Sequence, residues 1–493
     1  MHCGRTSETR PACRDRARWL RGASLAALCA VAWPMLEAPA AVAETLREAL
    51  SSAYRTNPRL DAERARLRAT DEEVPRAKSG FRPIVEGSAD FGAQRTTTRP
   101  ATTGAGQTNP SGYSLNVTQE VFSGFRTVNT VREAEATVRA GRENLRLVES
   151  NTLMEAVTAY MDIVRDQALV RLREGNLDVM TRELVAAETR RSVREITKTD
   201  VAQARARRAK AASELDRAKA NLKASRAAYE RVVGHPANRI SEPPLTLKLV
   251  PRSLDEAHRV GLQESPNVVS ALYREQAARH AVDKVWGELL PEFRIEGSLN
   301  HRFETSRAID EQDSAAITGR INVPLYRGGE THARVRQAKH THVSRIQEIE
   351  QARSETQAAI ATAWSRGMAA RAQFKSDQVQ VEASRTALDG VREEEKVGQR
   401  TVLDLLNAEQ ELLDAEAQLI VTRREIVVAS YGLLAAMGRL DAETLRLNSE
   451  IYDPEEHYHE VRQKWFGLAI THADGRREML DAADPDNEPA IVE

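Results

Sequence analysis

This chain of 493 residues has few aromatic residues, a net charge close to zero and few long apolar runs. Phe, Trp and Tyr make up only 4% of it, so a large aromatic core is not expected. The abundant Ala, Glu, Arg and Leu instead favour long helices that pack closely. The formal net charge of -1 gives no reason to expect nucleic-acid binding. None of the predicted helices has the ~18 consecutive apolar residues of a lipid-spanning helix.

Cysteine is confined to the start of the chain, at Cys3, Cys13 and Cys29. This region has several arginines, an apolar run at 23–36 and small residues at 41–43, a pattern that predicts a removable secretory signal over residues 1–43. An uncleaved membrane anchor is the alternative. The exported chain would contain no thiol, which excludes disulfides, cysteine–metal sites and thiol catalysis.

Most of the remaining chain consists of an internal sequence repeat. Phe122, Asp200 and Gly234 recur roughly 204 positions further on as Tyr326, Asp404 and Gly438. The repetition predicts two tandem structural repeats. We place the first at 44–248, with a strand pair at 83–123, and the second at 249–448, with a strand pair at 292–326. Each is predicted to run helix, strand pair, long helix, short helix. The remainder, 449–493, is predicted to be a C-terminal segment with an acidic, disordered tail from 481.

The predicted strands alternate between apolar and polar residues. From Phe293 to Phe303 the odd positions are mostly apolar, whereas every even position is polar. A period of two over about ten residues, with one fully polar face, suits a membrane β-strand between lipid and water. A soluble sandwich with one wet face has the same periodicity.

The long helices, predicted at about 127–191 and 331–396, would each span roughly 100 Å at 1.5 Å per residue. Shorter helical stretches of roughly 37 residues are predicted at 44–80, 198–234, 253–290 and 402–438. From Val201 and again from Leu405, apolar or small residues are spaced by alternating threes and fours, which is typical of a coiled coil. An ordinary bundle is the alternative.

Four strands cannot close a membrane barrel, because about eight is the smallest number known and lipid tolerates no open edge. Several copies of the chain would therefore have to combine their strands. Because the strand ends lead into helices, all helices would lie on one side of the membrane. Rods of roughly 100 Å beside a barrel suggest a conduit.

Several short motifs resemble the TolC family of outer-membrane channel proteins. They are the segment from Thr45 to Pro58, the aromatic-x-Gly pairs at Phe122 and Tyr326, Thr199-Asp200-Val201, and residues 397–404. Tyr452-Asp453-Pro454 and the segment 464–467, Lys-Trp-Phe-Gly, resemble the branch associated with type I secretion.

The resemblance implies an α+β membrane protein, a homotrimer whose twelve-stranded barrel lies in outer-membrane lipid and continues into a periplasmic tunnel of helices. It also implies two partners, a periplasmic adaptor and an inner-membrane ABC or proton-driven transporter. The expected function is passive export of proteins or small toxic compounds. A periplasmic adaptor and a surface coiled-coil structural protein are the alternatives.

No catalytic motif is found in the sequence, so we expect no enzyme activity and no cofactor. Gly104 and Gly106 lie in a turn rich in Thr and Pro without the Lys-Ser/Thr of a phosphate loop. The pairs His340/His342 and His457/His459 could hold a metal, but such pairs are usually solvated, so no metal site is predicted.

The resemblance assigns the working residues to the turns that follow the long helices. Thr199, Asp200 and Arg400 would belong to a charged network that closes the periplasmic tip. The alternative for Asp200 is a simple helix cap. Two positions depart from the family pattern: Glu395 replaces an aromatic residue, and Arg194 replaces a glycine.

Two further sets of residues are expected at the same tip. Asp404 would line the narrowest part of the lumen and, in several copies, form an acidic ring that favours cations. Asn407 replaces the family's second aspartate there, so a weaker ring is expected. The adaptor is expected to dock around Val193, Val397 and Gly398.

Overall fold

The structure is a computed structural model that describes residues 43–97, 106–245, 249–306, 309–471 and 477–478. The predicted leader up to Val42 and the predicted tail from 481 lie outside these residues. The helices are α1 Leu46–Thr56, α2 Pro58–Asp71, α3 Glu73–Lys78, α4 Arg126–Ser192, α5 Lys198–Val233, α6 Leu254–Glu264, α7 Pro266–Trp286, α8 Glu330–Lys396, α9 Val402–Ala436 and α10 Glu456–Val461. The strands are β1 Ile84–Phe91, β2 Gln94–Thr96, β3 Gly106–Thr108, β4 Ser111–Ser123, β5 Glu292–Ser306, β6 Ile309–Asn322, β7 Ile470–Thr471 and β8 Arg477–Glu478.

Two long helices dominate the fold. Helices α4 and α8 each contain 67 residues, roughly 100 Å at 1.5 Å per residue. Each turns back into a shorter antiparallel neighbour, α4 into α5 and α8 into α9, and packs along it. The buried residues at the start of α5, Val201, Ala204, Ala211 and Leu215, follow the predicted spacing of threes and fours. Small side chains here let the helix axes approach closely.

Proline interrupts two stretches for which the sequence pattern predicts single helices. The stretch 44–80 is divided into α1, α2 and α3, and the stretch 253–290 into α6 and α7. The breaks between α1 and α2 and between α6 and α7 fall at Asn57-Pro58 and Ser265-Pro266, where both residues before proline adopt extended backbone. The division between α2 and α3, at Glu72, has no proline and keeps helical backbone angles. Proline disfavours helical geometry in the residue before it, yet suits the first position of a new helix.

The main sheet has four antiparallel strands in the order β1-β4-β5-β6. Within it β1 and β6 are the edge strands. The register places Val85, Val117, Gly297 and Ile317 in one row across the sheet, and Gly87, Leu115, Leu299 and Ala315 in the next row on the same face. The intervening rows carry polar residues such as Ser88, Ser114, Asn300 and Ser314. The sheet therefore has one apolar and one polar face.

The apolar face of the sheet is solvent-exposed in the single chain. Every residue of β1 and β6 with a described burial is exposed, and Ile317 retains 86% of its accessible surface. The largest buried cluster lies instead among the helices, where Tyr160 and Tyr229 are fully buried. The Tyr229 hydroxyl donates to Oε1 of Glu44 over 2.8 Å, and burial raises the pKa of Tyr229.

Within the described residues, no helix combines the length and apolarity needed to cross a lipid bilayer.

Candidate functional site at the helical tip

Both hairpins turn with the same backbone hydrogen bonds. After α4, the N–H of Arg194 donates to the carbonyl of Arg191 and that of Glu195 to the carbonyl of Arg190. After α8, Gly398 and Gln399 donate to Glu395 and Glu394 in the same way. This Schellman arrangement needs a left-handed residue, and Arg194 (φ 65°) and Gly398 (φ 77°) supply it.

The returning helices begin with matching capping boxes. The N–H of Asp200 donates to Oγ1 of Thr197 over 3.3 Å, and the N–H of Thr197 donates to Oδ2 of Asp200 over 2.9 Å. Thr401 and Asp404 repeat this exchange at 3.2 and 3.0 Å. Two orphan backbone donors of each helix are thereby satisfied. The hydrogen bonds from Thr401 hold the pKa of Asp404 below its ordinary value, so its carboxylate stays ionised at neutral pH.

Two polar contacts join the first hairpin to the second near the turns. The guanidinium of Arg190 on α4 donates to both carboxylate oxygens of Glu395 on α8, and the Glu395 side chain is only 8% exposed. These hydrogen bonds raise the pKa of Arg190. On the returning helices, Nη2 of Arg207 donates to Oδ1 of Asn407 over 2.8 Å. Within one chain, the tip is thus joined across both the long and the short helices.

A buried carboxyl lies slightly further from the turns. Glu409 on α9 receives a hydrogen bond from Arg392 over 3.4 Å, while its Oε2 has no hydrogen-bond partner among the described residues. Burial, and then the negative charge of Glu183 on α4, raise the pKa of Glu409 to about 7. Arg392 and Arg182 oppose that shift. A carboxyl with this pKa changes charge near neutral pH.

The predicted gate residues are not in contact within one chain. The Asp200 carboxylate binds Thr197, and the Arg400 Nε donates to Glu394 of its own hairpin over 2.8 Å. This hydrogen bond raises the pKa of Arg400. Thr199 occupies the second residue of α5 and is exposed, while Thr197 supplies the cap. Asp200, the third residue of α5, therefore completes a capping box and is also a gate candidate.

The expected docking residues lie at the outermost part of the turns. Val193 and Val397 occupy corresponding positions and are 69% and 70% exposed. No described atom lies within 4 Å of the position where Gly398 would carry a side chain. At this exposure the two valines cover little of the chain's own apolar surface.

Histidine contacts differ from the pattern in the sequence. His342 pairs with Glu275 and His457 with Asp71, so neither HxH pair acts as a unit. His301 instead lies across the sheet from Asp313, with its Nε2 3.3 Å from Glu311. The two acidic members of this cluster, Glu311 and Asp313, are exposed on β6, whereas His301 on β5 is partly buried.

Three residues at the tip could not be identified from the sequence pattern. They are Arg190, Arg207, which contacts Asn407, and Glu409. Each lies in a helix with many charged residues, in which any glutamate or arginine has a similar local context. Thr197 and Thr401, in contrast, could have been found, since each begins a Thr-x-x-Asp sequence directly before a helix.

The exposed amphipathic sheet joined to hairpins of this length fits one class of protein, an outer-membrane channel with a helical periplasmic part. The family described as "Outer membrane efflux protein" matches residues 49–235 and 260–439, and the chain belongs to this family. It is an outer-membrane channel protein for efflux or type I secretion.

Curated relatives agree with that assignment. The chain is 39% identical to the outer membrane efflux protein BepC of Brucella suis over 454 residues, covering 92% of this chain and 97% of BepC. It is 25% identical to the alkaline protease secretion protein AprF of Pseudomonas aeruginosa, covering 61% and 63% of the two chains. These relatives are named for efflux and secretion rather than for an enzyme activity.

Solved structures show the same fold. The Campylobacter jejuni CmeC outer membrane channel aligns with a TM-score of 0.74 at 16% identity, covering 85% of this chain and 89% of that one. The outer-membrane channel OprN aligns with a TM-score of 0.71 at 21% identity, covering 80% and 89%. The match to the family and the identity to BepC confirm the predictions of family and cellular location.

Proposed function

We propose that three copies of this chain close one twelve-stranded barrel, and that their hairpins extend its bore as a tunnel through the periplasm. The observation that carries this proposal is the four-stranded sheet, which exposes a whole apolar face and leaves β1 and β6 at its edges. An open sheet edge is not tolerated in lipid. Joining β6 of one copy to β1 of the next removes every edge, and three copies agree with the family resemblance.

The channel would be a passive component of a three-part export system. Its bore would be narrowest at the helical tip. A periplasmic adaptor would contact Val193, Val397 and Gly398 there. An inner-membrane ABC or proton-driven transporter would supply the energy. The names of BepC and AprF support efflux and protein secretion respectively, and both substrate classes fit a wide bore.

The gate would combine contacts within and between copies. Arg190–Glu395 and Arg207–Asn407 hold the two hairpins of one chain together. Asp200, Thr199 and Arg400 are exposed or partly exposed at the same level and would pair across neighbouring copies. Charge-assisted hydrogen bonds are individually weak where they are exposed, so several per trimer would hold the tip shut while an adaptor could still displace them.

The selectivity ring would consist of one Asp404 from each copy. Its lowered pKa keeps each carboxylate charged. Asn407 adds no charge, and its Oδ1 already accepts from Arg207. Fixed negative charge around a pore attracts cations.

Planar-bilayer recording of the purified protein tests the proposed function. We expect discrete channels, and the double variant D200N/R400Q should raise single-channel conductance because it removes the charges that join neighbouring tips. R385Q, which removes a pair with Glu416 farther along the second hairpin, serves as the control. Absence of channels from well-folded protein would contradict the function, and unchanged conductance of the double variant would contradict the gate.

Ion selectivity tests the ring separately. D404N keeps an oxygen that can accept the capping hydrogen bond but removes the charge, so the cation-to-anion permeability ratio should fall. R385Q, the control of the conductance experiment, lies farther along the second hairpin and should leave that ratio unchanged. Reversal potentials in a salt gradient measure both. Equal ratios for D404N and the unmodified protein would place the selective charges elsewhere.

A further inference from the structure

The C-terminal segment follows the helices toward the sheet. Tyr458 lies in α10, and its ring centroid is 5.1 Å from the guanidinium of Arg142 on α4. Beyond α10, Arg462 pairs with Glu135 on α4 over 3.3 Å, and its carbonyl accepts from Nζ of Lys78 on α3 over 3.3 Å. These contacts fix the path of the chain up to residue 462.

After that point the segment exposes a run of large apolar side chains. Trp465, Phe466, Leu468 and Ile470 are 58%, 87%, 72% and 49% exposed. The run has a defined shape, because Nζ of Lys464 donates to the carbonyl of Ala469 over 3.0 Å and Gly467 turns the backbone at φ 110°. Exposure of four large apolar residues in six positions is a costly arrangement in water.

One contact fixes the level of this apolar run relative to the sheet. The guanidinium of Arg82 lies over the Trp465 ring, 4.7 Å from its centroid. Arg82 stands two residues before β1 begins at Ile84, a distance of roughly 7 Å along an extended chain. Trp465 therefore lies beside the end of the sheet from which the helices depart. Phe81, also exposed, lies at the same end.

The apolar run continues the apolar face of the sheet and is accompanied by positive charge. Val85, the first residue of the apolar face on β1, is 60% exposed next to this end. Lys78, Arg82 and Lys464 surround the run, with Glu135 as an acidic neighbour already paired to Arg462. Aromatic rings mixed with lysine and arginine at a membrane boundary are typical of segments that lie in the lipid interface.

We propose that residues 465–470 form an interfacial anchor that inserts Trp465, Phe466 and Leu468 into the periplasmic leaflet and binds anionic phospholipid through Lys78, Arg82 and Lys464. The proposal rests on the proposed barrel, since it takes the sheet to stand in lipid with the helices on the periplasmic side. The anchor would fix the height of the barrel in the membrane, three times per trimer.

Tryptophan fluorescence in vesicles tests the anchor. The described residues contain Trp286, Trp364 and Trp465, and export is expected to remove Trp19 and Trp33 with the leader. In the exported double variant W286F/W364F, brominated phosphatidylglycerol should reduce the emission of Trp465 at least twofold. The variant W286F/W465F keeps only Trp364, which packs among the helices, and should change little. Brominated phosphatidylcholine should quench Trp465 less than the anionic lipid does.

A third variant separates the anchor from the barrel. I317W, combined with replacement of the three native tryptophans by phenylalanine, reports on the apolar face of the sheet. Quenching of I317W without quenching of Trp465 would overturn the anchor and leave the barrel intact, as when a neighbouring copy covers the segment. Quenching of neither residue would overturn both. Equal quenching of Trp465 by the two lipids would overturn the anionic preference.

Discussion

The two hairpins of this chain have the same design but different surroundings. Both have a long helix of 67 residues, a Schellman turn and a Thr-x-x-Asp capping box. Helix α4 packs against α1, α2, α3, α5, α7 and α9, whereas α8 packs against α6, α7 and α9. Buried side chains are accordingly denser along α4 than along α8. The same local design thus supports one helix at the centre of the chain and another that is largely exposed.

The difference indicates which surfaces are left for other copies. Side chains such as Val379 on α8 are exposed in the single chain. In the proposed trimer a neighbouring copy would cover part of this surface. The returning helices differ in the same sense at the tip: Leu406 on α9 is buried, while the corresponding Ala202 on α5 is exposed.

The largest expected effect is at the cluster that joins the hairpins. Leu406 packs with Met180 and Ala211, so L406A should destabilise the chain by about 2–5 kcal/mol. A202S, at the corresponding exposed position, should change stability by less than about 0.5 kcal/mol. Thermal unfolding in detergent, followed by circular dichroism, measures both. Similar losses for the two variants would show that the two hairpins are not packed differently here.

A smaller effect, with a defined pH dependence, is expected at Glu409. Well below pH 4.5 its carboxyl is protonated in both folded and unfolded chains, and as the pH rises toward 7 only the unfolded chain ionises fully. The stability of the folded chain should therefore fall over this range and level off above it. One pKa unit corresponds to about 1.4 kcal/mol, so E409Q should stabilise by up to about 3 kcal/mol at pH 8 and by less at pH 5.

The control for Glu409 lies in the first hairpin. Position 205, which corresponds to 409, carries an exposed arginine that pairs with Glu188 over 3.1 Å. E188Q removes a surface pair and should change stability by about 1 kcal/mol or less. Unfolding curves at pH 5 and pH 8 compare the variants. A stabilisation by E409Q that is the same at both pH values would contradict a pKa near 7.

The smallest effects are expected at the left-handed turn residues. G398A should cost about 1 kcal/mol, because only the backbone angle opposes the methyl group at this open position. R194G should gain a similar amount. The control G390A, at an equally open position within α8, should stabilise by about 0.5–1 kcal/mol. Equal changes in the unfolding temperature for G398A and G390A would contradict a cost that comes from the left-handed backbone at position 398.

Features with a local cause could be predicted from the sequence. The alternation from Phe293 fixes which face of β5 is apolar, and Pro58 and Pro266 could have indicated the helix breaks that were missed. The contact between Arg190 and Glu395 depends on two residues far apart in sequence, so no local pattern identifies it. The raised pKa of Glu409 likewise depends on burial in the fold and on Glu183 of a distant helix. Contacts between copies of the chain depend on which surfaces meet in the assembly, and the sequence of one chain does not identify them.

The central claim, that several chains close one barrel, is tested most directly by native mass spectrometry of the exported protein released from detergent. The account predicts a single species with three copies of the chain. A species that remains a single chain across the concentration range would contradict it, because four strands with two open edges could not then stand in lipid.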